Sequence, residues 1–454
     1  MLRLKACFLT VAVLLATVFT FLPSRTSSQT SIVRVTNTPE QTVNLNPSLS
    51  DDGRVLVFES SANFADGGAA LANGVSSSFH AVRADVRGDP PLFQELGATR
   101  VVSPALSSDG SVVAFASTED LVGENADRNS EIFLRTASGL RQITDTLPDS
   151  SATRLIDGNS QPSITVNGSL VAFTSRGNLL LYDVTQDTLF QLTEDQTASS
   201  PKLSGDGSRL YYQRGSDLAL LDLKTNSTRV IAADVPKLST ATGRAVSNDG
   251  LRLVYSAETG TNQTQVFLFD ARDNTTRPLT QLGTRSVDVP LHPTISGDGK
   301  RVAFATRRRV TNASDGSVEL YVYDIPSGQT VQVTNAPSSA TAEVVSSLNS
   351  DGSLVAFSFP RLLSGLATDN DLGNNSEIYL ATLAQRAEFG TATIFNAAAL
   401  GNEPAQPAPL APGSIATIRG NALAFRIETG ISANPPFALA GTTVKVNGQL
   451  ARIF

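Results

Sequence analysis

Few side chains in this 454-residue sequence are equipped for catalysis. Its two histidines, His80 and His292, lie far apart and could cooperate only if both faced one cavity. A metal-dependent lyase site of this kind needs several histidines grouped with carboxylates, which two histidines cannot supply unaided. The chain has no Gly-x-Ser-x-Gly elbow, no His-Glu-x-x-His, and no glycine-rich phosphate loop after a strand. Its one cysteine, Cys7, sits in the N-terminal apolar segment and would leave with a cleaved leader. The expectation is no catalytic residue, no cofactor and no metal ligand.

Two loops gather hard oxygen donors of the kind calcium prefers, Asp127-Arg128-Asn129-Ser130-Glu131 and the stretch from Asp369 to Glu377. Neither has EF-hand spacing, and Arg128 opposes a dication. Asn- and Asp-rich turns are ordinary hairpin chemistry, so both loops are read as structural. Arg307-Arg308-Arg309 is the only cationic run and reads as a solvated loop. Asn-x-Ser/Thr sequons such as Asn226-Ser227-Thr228 arise easily in such turns and carry no weight.

The framework that must position these groups is β-rich. Hydrophobic residues make up 41% and charged residues only 17%, with 33 Gly, 22 Pro and no Trp. That excludes collagen, coiled coil, a disordered tail and a polytopic membrane protein. Met1 to Lys5 is basic and precedes an apolar run from Ala6 to Leu22, the pattern of a secretory leader ending near Ser28. Removing Arg3, Lys5 and Arg25 from 35 basic residues against 42 acidic ones leaves a net charge of -10. Such a chain would attract neither nucleic acid nor an anionic membrane surface. Without cysteine, an exported protein must be stable through packing alone.

One pattern recurs seven times: an apolar residue, usually Ser or Thr, a turn ending in Gly, then an apolar run closed by an aromatic. Leu49-Ser50-Asp51-Asp52-Gly53 leads to Val55-Leu56-Val57-Phe58, and Leu106-Ser107-Ser108-Asp109-Gly110 leads to Val112-Val113-Ala114-Phe115. The glycines fall at 53, 110, 168, 207, 250, 299 and 352. Asp-Gly or Asn-Gly between apolar runs marks a hairpin, and unbroken apolarity marks a strand buried on both faces. Four-stranded units at such spacing are propeller blades. The last copy lacks a fourth strand, whereas Val33-Arg34-Val35-Thr36-Asn37-Thr38-Pro39 parallels Val331-Gln332-Val333-Thr334-Asn335-Ala336-Pro337. Residues 32–36 are therefore expected to close the ring as the outer strand of the last blade. Seven blades is the count; six or eight would follow if an insertion hides or mimics one.

These units, with Val-Ala-Phe after the turn and a later Leu-Thr, resemble the TolB-type β-propeller repeat of bacterial exported proteins. The resemblance covers about 31–383. It implies a channelled disc that binds partner proteins or serves as an accessory domain to hydrolases. Residues 384–412 read as a linker. Residues 413–454 resemble the start of an uncharacterised C-terminal domain of large secreted bacterial proteins, read as an incomplete immunoglobulin-like β-sandwich around the Asn447-Gly448 hairpin.

The expected function is that of a secreted, periplasmic or cell-surface β-propeller, not an enzyme, that binds a protein, peptide or glycan through one face. Long insertions such as Asn63 to Phe79 and Leu362 to Glu377 would supply the contact surface. No nucleic acid partner and no membrane insertion after leader removal are expected. The alternatives are a channel-based hydrolase or lyase acting on polysaccharide or peptide, or a structural module of a larger surface protein.

Overall fold

Each apolar run of the repeat becomes the second strand of a small antiparallel sheet in the computed structural model. Described are residues 31–383, apart from 40, 65–69, 100–103, 148–157, 241–242, 262, 284–290, 308–317, 336–343, 361–362 and 364–374, with the backbone of short strands between 393 and 451. For 70–78 the backbone alone is described, and the leader segment 1–28 and Asn447-Gly448 lie outside the described residues.

Seven such sheets, the blades, follow one another along the chain. We letter the strands of a blade A to D from the inside outwards. Blade 1 comprises Asn44–Leu49, Val55–Phe64, Ala70–Asp85 and Leu92–Thr99; blade 2 comprises Ala105–Leu106, Val113–Ser117, Glu131–Thr136 and Gly139–Gln142. Blade 3 comprises Ser160–Ile164, Leu170–Ser175, Asn178–Asp183 and Thr188–Gln191; blade 4 comprises Ala198–Leu203, Arg209–Arg214, Asp217–Asp222 and Ser227–Ala232. In blade 5, strands B to D are Arg252–Glu258, Thr264–Asp270 and Thr275–Pro278, and the inner strand is reduced to bridges Ser239–Ser256 and Val246–Leu253. Blade 6 comprises Thr294–Ile295, Arg301–Thr306, Glu319–Asp324 and Gln329–Gln332.

Blade 7 confirms the expected closure. Its strands Ser346–Leu348, Leu354–Pro360 and Ser376–Thr382 are completed by Ser31–Arg34 from the start of the chain. Val33 pairs with Leu380, and the amide of Val35 donates to the Ile378 carbonyl at 2.8 Å. The carboxylate of Glu377, wholly buried, accepts hydrogen bonds from the Thr36 hydroxyl and, at 2.8 Å, from the Thr38 amide. Asn44 then ties this seam to blade 1 by donating to the Ser376 carbonyl at 2.6 Å.

Stacking explains the unbroken apolarity of the B strands. Successive side chains point to opposite faces of a strand. Leu56 and Phe58 accordingly pack with Ala356 and Ile378 of blade 7, whereas Val57 packs with Val113 and Phe115 of blade 2. The aromatic that ends each run pairs across to strand C: Phe115 stacks on Phe133 with centroids 6.0 Å apart, and Phe357 on Tyr379 at 5.6 Å.

Thr30–Arg386 forms one compact unit and the remainder of the chain another. In the C-terminal part, Thr393–Asn396 pairs with Ala416–Arg419, so a strand falls inside the segment read as linker. Thr442–Val446 pairs with Gln449–Ala451 on either side of Asn447-Gly448, as the hairpin signal suggested.

Candidate functional site: the turn ring and the central cavity

The repeated Ser-x-Asp-Gly is a turn lock. In blade 2, the Ser107 hydroxyl donates to Asp109 at 2.7 Å, Asp109 accepts the Ser111 amide at 3.0 Å, and Ser107 accepts the Val112 amide at 3.0 Å. The same three bonds recur in all seven A–B turns, with Thr165 and Asn167 substituting in blade 3 and Asn349 in blade 7. These donors hold the Asp109 carboxyl below its ordinary range, the Ser111 amide contributing most. Burial pushes Asp206, Asp249 and Asp351 upwards, but their turn donors outweigh it and the net shift is downwards. The motif aspartates are thus spent on architecture.

The residue after the motif Ser joins a hydrogen-bonded belt running from blade to blade. Asp51 donates its amide to Ser108, Ser108 to Val166, and Val166 to Gly205, at 2.8 to 3.0 Å. The belt continues from Asp206 to Asn248, Asn248 to Gly297 and Asp298 to Ser350, and returns from Ser350 to Asp51 at 3.0 Å. Gly205 is required by this crowding: a Cβ there would lie 2.6 Å from Val166 Cγ1 and 2.8 Å from Asn248 Cα. Side chains then cross the ring. Arg244 of blade 5 donates to Asp51 of blade 1, and Asn248 Nδ2 reaches the other oxygen of Asp51 at 2.8 Å.

Inside this barrier lies a cavity of about 70 Å³. Its walls come from inner-strand residues of blades 1 to 5 and 7, including Ser48, Ser163, Lys202, Arg244, Asn248 and Ser347, and contain no carboxylate. Lys202 is only 8% exposed, and burial pushes its ammonium down to about 8. Arg244 Nη1 is buried without a hydrogen-bond partner.

The opposite face is built differently. Antiparallel pairing brings every A–B and C–D turn to the belt face and every B–C and D–A connection to the other. On the belt face the connections are short, such as 50–54, 165–169, 184–187 and 223–226. On the other face, connections such as 118–130, 143–159, 279–293, 307–318 and 361–375 begin and end. The Asn63 to Phe79 insertion forms a longer B–C hairpin, with Ala62 opposite Val75 and Phe64 opposite Ala70. Most of the Leu362 to Glu377 insertion lies outside the described residues.

The two histidines are not brought together. His80, on strand C of blade 1, pairs with Glu95 on strand D. His292 precedes the inner strand of blade 6, on the far side of blade 7. Of the first acidic loop, Asp127 is exposed and Glu131 turns inward, accepting from the Thr146 amide at 2.8 Å, the Thr146 hydroxyl at 2.7 Å and Asn159 at 2.8 Å. Arg128 of that loop pairs with Glu119. In the second loop 369–374 lie outside the described residues, as do Arg308 and Arg309. Among the described residues no cluster of three His, Cys, Asp or Glu could hold a metal ion.

Comparison with known proteins supports the fold alone. No family model matches the chain, and no curated protein matches it. Among solved structures, an oligogalacturonate lyase in complex with manganese superposes with a TM-score of 0.50 at 14% identity, over 78% of this chain and 93% of that one. TolB from Acinetobacter baumannii matches at 0.39 and 16% identity, over 68% and 77% of the two chains. The β-propeller domain of the Trilobed protease from Pyrococcus furiosus matches at 0.45 and 12% identity, over 70% and 91%.

Proposed function

We propose that this seven-bladed β-propeller is an exported binding module that takes a protein, peptide or glycan partner on the face carrying the long connections. The observation that carries this reading is the asymmetry of the disc. The strand-to-strand turns of its belt face are short and knit into a closed ring, while every extended connection between blade strands belongs to the other face. Loops raised on a rigid scaffold are where proteins place recognition. The cavity behind the belt, at about 70 Å³, is far below the roughly 300–1,000 Å³ of a small-molecule pocket, so it has no room for a sugar chain or peptide. Glu131, Glu377 and the turn aspartates are engaged in holding the blades, which favours binding over catalysis. Export rests on the basic start and apolar run of the leader segment.

The test is affinity capture from envelope extract with two proteins. One is wild type; in the other, 118–130 is replaced by the Arg176-Gly177 turn that serves the same position in blade 3. A partner retained by wild type and lost from the shortened protein, with equal thermal stability, supports the reading. Equal recovery removes this loop from the contact surface. A panel of glycans and peptides, with His292→Ala as control, should show no turnover; turnover abolished in the variant would establish an enzyme instead.

A further inference from the structure

We propose that the 118–130 connection of blade 2 holds a calcium ion on Asn125, Asp127 and Asn129. The site stands whether or not a partner uses the same loop.

The first observation is a set of oxygens that lack donors. Asn125 is only 1% exposed, and its Oδ1 is buried without a hydrogen-bond partner. Oδ1 of Asn129 and Oε1 of Gln142 are buried in the same state. The amides are the right way round, because each nitrogen is already spent on a carbonyl. Asn125 Nδ2 donates to the Asn129 carbonyl at 3.0 Å, Asn129 Nδ2 to the Thr146 carbonyl, and Gln142 Nε2 to the Thr144 carbonyl at 2.7 Å. Turning any of them over would set oxygen against oxygen. A buried acceptor left unmet is costly, and either a water or a cation removes the cost.

Charge favours the cation. The connection carries Glu119, Asp120, Glu124 and Asp127 against Arg128 alone, so four negative charges and one positive leave -3. Arg128, the one group that opposes a cation, is drawn off into an exposed pair with Glu119. Asp120 accepts the Asn125 amide at 3.0 Å, while Glu124 and Asp127 are exposed and make no ion pair. Like charges crowded into one short loop repel, and a dication among them reverses the sign of that term.

Spacing names the ligands. Asn125, Asp127 and Asn129 alternate along the chain as the leading donors of a calcium loop do, although the rest of the EF-hand pattern is absent. The Arg128 amide donates to the Asn125 carbonyl at 3.2 Å and curls this stretch back on itself. No three carboxylates converge there. The amide oxygens of Asn125 and Asn129 are therefore the inner ligands, Asp127 supplies the charge, and water completes the shell. Calcium tolerates such a mixed, irregular set of oxygens, whereas magnesium demands a near-ideal octahedron. The same amide recurs in blade 7, where Asn375 of the second Asn-Ser-Glu-Ile also keeps a buried Oδ1 without a donor.

Calorimetric titration of the full chain, first stripped with chelator, tests this with calcium chloride against magnesium chloride at equal ionic strength. Saturable calcium binding at or below about 1 mM, with magnesium at least about tenfold weaker, is the expected result. Asp127→Asn should weaken calcium binding about tenfold while leaving the thermal midpoint in chelator unchanged, because this side chain is exposed and unpaired. The protein shortened at 118–130 should lose at least one equivalent of bound calcium. No saturable calcium binding up to about 10 mM, magnesium bound as tightly, or undiminished binding by either variant would overturn the proposal.

Discussion

Asp51 of blade 1 accepts a hydrogen bond from Asn248 of blade 5 at 2.8 Å, across the channel of the disc. Blades 6 and 7 separate the two on one side of the ring and blades 2 to 4 on the other. Together with Arg244, this contact makes one end of the channel a wall. The contact depends on closure of the ring, because the two residues reach one another only when all seven blades are in place.

Closure is the first thing to perturb. Glu377→Ala deprives the Thr36 hydroxyl and the Thr38 amide of a buried acceptor. Loss of these bonds is expected to cost about 2–4 kcal/mol, read as a lower urea midpoint. The disc should then open at the seam between Ser31–Arg34 and Ser376–Thr382, so hydrogen exchange at Val33 and Leu380 should rise first.

Gly110 separates backbone strain from crowding. Its φ is +68°, and an added Cβ would lie 2.5 Å from Val55 Cβ of the preceding blade. Gly110→Ala should cost about 2–4 kcal/mol, the sum of a left-handed residue and an overpacked contact. Gly215 has φ +61° with nothing within 4 Å, so Gly215→Ala should cost only about 1–2 kcal/mol in thermal unfolding.

Lys202 sets the alkaline profile. Its folded-state pKa of about 8 lies below the ordinary 10.5, so between these values the unfolded chain holds more protons and stability rises with pH. The total rise attributable to this residue is about 3 kcal/mol. Above pH 10 the trend should reverse, because burial raises Tyr211 and Tyr182, the latter to about 12. Lys202→Met should therefore be more stable than wild type at pH 7 and should flatten the curve between pH 8 and 10 in chemical denaturation.

The turn aspartates set the acid limb. Asp109, Asp206, Asp249 and Asp351 all have lowered pKa values in the folded protein. Their contribution is complete above the unfolded value near 4 and is lost as pH falls through the folded values. Thermal midpoints should drop steeply below pH 4, and Asp206→Asn should show a shallower drop than wild type.

Much of this was legible in the sequence. Val33 to Thr36 mirrors Val331 to Thr334, which gave away the closing strand, and the Ser-x-Asp-Gly copies announced the hairpins because turn chemistry is local. What could not be read depends on the closed ring. Lys202 stands in an ordinary-looking Pro-Lys-Leu before its turn, and only the ring makes that position a cavity wall. Asp51 and Arg244 carry no shared motif, since they meet across the channel rather than along the chain. Glu131 and Glu377 read as loop oxygens; their recurrence in Asn-Ser-Glu-Ile was the available signal that they open a buried strand.

The proposal of a partner on the face of the long connections is tested most directly by site-specific photocrosslinking in cells that make the protein. Photoreactive residues at Glu124 or Asp127 sample the face of the long connections, and those at Arg54 or Ser111 sample the belt face; all four positions are exposed. A discrete adduct from 124 or 127 and none from 54 or 111 is the predicted result. Adducts from 54 or 111 alone, or equally from both faces, would contradict it.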